Sequence, residues 1–136
     1  MGNLQFWRKL EDLGVFLVAL HSFLIGIMLI FTTAWILDFA GWDQVSHMFF
    51  PRQSGAFHII MAAGYYWEYR SHKTIRLLLL AKATAVVFLL IMSPWKEAWS
   101  VPFSGIFDGL MLVGMTIIHR MARRDASNHH LTRHTD

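Results

Sequence analysis

The chain has no cysteine, so it carries no disulfide framework, no thiolate metal site and no redox thiol, and its redox compartment cannot be read from this residue. Charge is also scarce: 12 Lys and Arg stand against 9 Asp and Glu in 136 residues, a net of +3. With 55% of its residues apolar, the chain is too oily for an ordinary soluble domain of this size. It lacks any G-x-S-x-G, H-E-x-x-H, P-loop or Rossmann fingerprint, which removes the usual basis for a hydrolase, zinc-protease or nucleotide-binding assignment. The basic residues are too sparse to suggest nucleic acid as a partner.

Long apolar segments are what the chain does have. Spans are expected at about residues 13–37, 54–69, 75–92 and 102–119, forming a transmembrane domain over 1–120 with a polar cytoplasmic tail at 121–136. The first run is far longer than a secretory h-region and lacks a small-x-small cleavage site, so it is expected to stay in place. At 1.5 Å per residue it exceeds a hydrocarbon core of about 30 Å and should tilt. Glu11-Asp12 suits an acidic first turn at its start. Trp42, Val45 and Phe49 recur on one helical face, which predicts a short interfacial helix in the first outer loop, stopped by Pro51. Tyr65, Tyr66, Trp67 and Tyr69 form an interfacial aromatic cluster, and Pro102 lies near the first position of the last span.

Lys and Arg are lopsided. Arg8 and Lys9, then Arg70, Lys73 and Arg76, then Arg120, Arg123, Arg124 and Arg133 fall on one side, and only Arg52 and Lys96 on the other. By the positive-inside rule both termini are cytoplasmic. The expected fold is therefore an all-α, multi-pass integral membrane four-helix bundle.

Four ionisable residues lie deep inside the spans, away from their ends: Lys82, Asp108, His58 and His21. Helix rise places His58 and Asp108 roughly 6–9 Å below the outer boundary, and Lys82 and His21 about 10–12 Å above the inner one. An ammonium inserted that deep costs roughly 2.5–3.5 kcal/mol even on the lenient translocon scale. Asp108 is thus expected to bond His58 or Lys82 across the bundle. Such a cluster serves either as a polar clamp between helices or as a ligand or proton site. Gly105 and Gly109 form a GxxxG step beside Asp108, and Ala81 and Ala85 flank Lys82, so these four are the candidate packing residues.

No cofactor is predicted. A bis-histidine haem needs both imidazoles at one level, whereas His21 and His58 differ by roughly 10 Å in depth. A pigment held by His58 alone would use the room left by Ser54 and Gly55. Asp43 and His47 have metal-compatible i,i+4 spacing, but two ligands are not a site, and His129, His130 and His134 suit a solvated tail. No metal is expected.

Gly55-Ala56-Phe57-His58 through Gly64-Tyr65, Ala81-Lys82-Ala83 and Phe107-Asp108-Gly109 resemble the short motifs of small bacterial four-transmembrane-helix proteins of unassigned function, loosely DoxX-like in size and layout. The resemblance implies the fold and a bacterial inner (plasma) membrane setting, and it carries no reaction. The layout is also similar to that of small multidrug transporters. Those rely on a glutamate inside the first span, where this chain has His21, with Glu11 at the span's edge.

The leading expectation is a non-catalytic accessory or scaffold subunit in the lipid bilayer, packed against a larger membrane complex or forming a homodimer. The alternative is a binder or transporter of a small hydrophobic or anionic ligand using the Lys/Asp/His cluster. An enzyme acting on a lipid or quinone, with His58 as acid/base near Asp108, is a third.

Overall fold

The structure, a computed structural model, describes residues 2–42, 45–92 and 98–132. Helix α1 (Gly2–Phe31) begins well before the apolar run, so Glu11 and Asp12 lie turns inside it and not at its start. Its buried face is Glu11, Val15, Val18, Ala19 and Ser22, the spacing of one helical stripe. The expected continuous first span is broken at Thr32 (φ −119°, ψ 35°), and α2 (Thr33–Phe39) follows. The Thr32 and Thr33 hydroxyls donate to the carbonyls of Met28 (3.0 Å) and Leu29 (2.6 Å), a back-bonding that bends helices.

The interfacial helix expected around residues 42–50 is not formed: residues 45–48 are irregular, and Phe49 already opens α3 (Phe49–His72). Pro51 sits in the first turn of α3, where a missing N–H is tolerated, so it starts a helix instead of stopping one. Asp43 lies outside the described residues. Gly41 takes φ +84°, and a side chain there would meet Trp99, whose indole N–H donates to the Phe39 carbonyl at 3.0 Å. The two connections at this end of the bundle are thereby pinned together.

At the other end Lys73 closes α3 in the left-handed conformation (φ 52°), and α4 (Arg76–Val87) begins three residues later. The Glu68 carboxylate caps it, accepting from the Arg76 N–H (3.1 Å), the Leu77 N–H (2.9 Å) and the Thr74 hydroxyl (2.7 Å). A π-helical turn, Phe88–Met92, extends α4. Helix α5 (Ser100–Thr132) carries Pro102 in its first turn and stays helical far into the segment expected to be a polar tail.

These five helices make an all-α fold in which α1 packs against α3 and α5, and α4 against α5 and more lightly α3. Neighbours run antiparallel. Gly26 and Gly55 bring the backbones of α1 and α3 together, since a Cβ on either would stand 2.7 Å from the other's carbonyl oxygen. The core joins Val15, Val18 and Ala19 to Tyr65, Tyr69, Ile75, Leu78 and Met115. Two helical stretches, Gln5–Phe31 and Ser100–Arg124, are long and apolar enough to cross a membrane.

Candidate functional site

The expected intramembrane residues converge. Lys82 is 4% exposed, because its position on α4 faces α5, and its Nζ pairs with Asp108 Oδ1 at 2.5 Å. Both side chains are largely out of solvent, so the pairing answers the cost of burying either charge alone. His21 and His58 lie within electrostatic range of both charges and of each other, despite the depth difference inferred from helix rise. Neither imidazole bonds the carboxylate, among the described residues. Asp108 also acts on the buried Tyr65.

The small residues around the pair do different jobs. Gly105 admits the π-turn side chains, since a Cβ there would meet Leu90 Cδ2 at 2.5 Å and Leu89 Cβ at 3.2 Å. Gly109 has only ordinary contact, 3.8 Å from Val86. Ala81 packs against the core and Ala85 is half-buried. Gly55 offers no room for a macrocycle beside His58, because α1 fills that space. His21 instead touches Phe107, at 5.2 Å between ring centroids, and rings continue through Phe103, Trp99 and Phe39 to Trp35.

A second polar layer lies about 15 Å away along α1, taking helix rise from residue 11 to residue 21. Here the buried Glu11 accepts from His119 Nδ1, an ion pair if the imidazole is protonated. The buried Tyr69 lies near the Glu11 and Asp12 carboxylates, while Lys73 pairs with Asp12 at 3.4 Å and lies 4.6 Å over the Tyr69 ring. These groups, with Arg8 and Arg123, line a half-open cavity of about 330 Å³.

Sequence reasoning missed this layer. It assigned Glu11 to an acidic first turn at the edge of the first span and Tyr69 to an interfacial cluster, whereas Glu11 is buried, Tyr65 and Tyr69 face inward and Tyr66 and Trp67 outward. The available signal was spacing: Glu11 shares the stripe of Val15, Val18 and Ser22, and His119 lies four residues beyond the buried Met115. Among the described residues no group of three or more His, Asp or Glu side chains is placed to hold a metal ion.

No family model, curated protein or solved structure matches the chain.

Proposed function

We propose that this protein is a four-span integral membrane protein with cytoplasmic termini, acting as a non-catalytic accessory subunit that docks the outer face of α5 on a partner helix. Its interior favours a structural role, since Lys82 answers Asp108 and His119 answers Glu11. Its exterior is apolar. Trp99, Phe103, Ile106, Leu110, Val113 and Ile117 repeat at alternating spacings of four and three, each between 51% and 66% exposed. That is the seam geometry of packed helices.

The observation that carries the reading is Gly114, at the edge of this stripe, four residues after Leu110 and three before Ile117. A Cβ at Gly14, Gly26, Gly55, Gly64 or Gly105 would strike a neighbouring element, whereas one at Gly114 would meet nothing within 4 Å. In a membrane, small residues let helix backbones approach closely, and among the described residues nothing occupies this notch. Replacing Gly114 by Leu should leave the monomer intact and favour its helix by roughly 1 kcal/mol. Purified in mild detergent, the wild-type chain is expected in an assembly larger than one copy and Gly114→Leu as a monomer. A wild-type monomer, or an assembly indifferent to Gly114→Leu, refutes the role. Equal subunits in the assembly would identify the homodimer form.

A ligand-binding alternative is favoured by the ring path from Trp35 to His21, which leads to the Lys82–Asp108 pair. The bacterial inner-membrane setting rests on the resemblance of short motifs and is proposed with the fold.

A further inference from the structure

The cavity between α1, α3 and α5 has an unbalanced lining. Three fixed cations, Arg8, Lys73 and Arg123, line it with two carboxylates, Glu11 and Asp12. Both carboxylates are engaged, Glu11 by His119 and Asp12 by Lys73. Among the described side chains, Arg8 and Arg123 have no carboxylate partner. They come from different helices and line one concavity, whereas Arg120 and Arg124 do not line it.

We propose that this cavity is a phosphate-binding site, gripped by Arg8 and Arg123. Two guanidiniums suit the planar, multidentate recognition of phosphate oxygens. The volume, at the low end of ligand pockets, accommodates more than a bare phosphate, so the ligand class is a phosphoester. Exposed Phe16 follows Asp12 by one turn along α1, which suits an acidic phospholipid whose headgroup enters while its chains stay against the apolar surface. A soluble phosphoester offers the same chemistry. The lipid source rests on the membrane reading above, whereas the soluble source and the site itself do not.

The test uses delipidated full-length protein in a neutral detergent, with phosphatidylglycerol, phosphatidylcholine or glycerol phosphate added and bound ligand counted by native mass spectrometry. One phosphatidylglycerol should be retained in preference to phosphatidylcholine. Losing each guanidinium should weaken binding roughly fivefold, the equivalent of about 1 kcal/mol per charge near a membrane surface, so Arg8→Gln/Arg123→Gln should lose about 25-fold. Arg120→Gln/Arg124→Gln, which removes the same charge outside the cavity, should bind as wild type. Glycerol phosphate binding with the same Arg8 and Arg123 dependence identifies a soluble phosphoester, and phosphatidylglycerol alone identifies the lipid. Equal losses in the two double variants, no loss in either, or no binding of any phosphate overturns the site. Unfolding midpoints measured alongside separate a misfolded variant from a weakened one, and the single variants Arg8→Gln and Arg123→Gln then decide.

Discussion

Lys82 and Asp108 are each other's solvation. An ammonium at 4% exposure in an apolar bundle has few acceptors to turn to, and the carboxylate on α5 supplies one directly. Removing one partner leaves an uncompensated buried charge, which costs about 3–5 kcal/mol in a buried pair, whereas removing both with apolar groups of similar size is often neutral. Lys82→Met and Asp108→Leu should therefore each destabilise by on the order of 3 kcal/mol, and the double variant by no more than either alone. Reversible unfolding in mixed micelles, followed by tryptophan fluorescence, gives the cycle. Costs that simply add would mean that the two side chains do not act as a pair. The pair was legible in the sequence because charges stand out against a run of leucines. Glu11 and His119 were not, because both lie close to segment ends, where charge is ordinary. Only the register of α1 shows that Glu11 is on the inner stripe.

At the scale of the element, the sequence located the helical rods and misplaced their joints. Rods follow from the length of apolar runs, but joints are decided by single groups. Thr32 breaks the first run with a hydroxyl bonded back to Met28, and Pro51 opens α3 where a stop was expected. The α3–α4 joint depends on Glu68, whose carboxylate reaches forward to satisfy two N–H groups that the first turn of α4 leaves unpaired. Ile75, the residue before α4, provides no side-chain cap. Glu68→Ala should thus cost about 1 kcal/mol, in the range of an N-cap loss. It should also speed hydrogen exchange at the Arg76 and Leu77 amides specifically. Unchanged protection of those two amides would show that the turn is held by the packing of Ile75 and Leu78 instead.

For the whole molecule, the distribution of polarity is inverted. Charged Lys82 and Glu11 are buried, while large apolar side chains such as Phe57, Ile60, Leu80, Phe88, Ile91 and Leu110 are more than half exposed, on α3, α4 with its π-turn, and α5. A soluble fold with such a surface would aggregate, whereas a bilayer is a solvent for it. Among the described residues, only α1 and α5 contain stretches long and apolar enough to cross by length and composition. Helix α3, at 24 residues, reaches about 36 Å and spans a core of about 30 Å, but α4 with its π-turn has 12 and 5 residues and reaches only about 25 Å. Two arrangements therefore compete: all four rods cross side by side, as the packing of α3 along α1 and α4 along α5 favours, or α3 and α4 leave that packing and stay on one side. They differ in one observable. Four crossings put Ser46, before α3, and Ser71, at its end, on opposite faces, and two crossings put them on the same face. Both serines are exposed, and the absence of native cysteine makes single-cysteine variants clean reporters. In sealed cells Ser46→Cys should react with a membrane-impermeant maleimide, and Ser71→Cys only after permeabilisation. Labelling of both from the same face would eliminate the four-span arrangement, and with it the positive-inside placement of Arg8, Lys73 and Arg123.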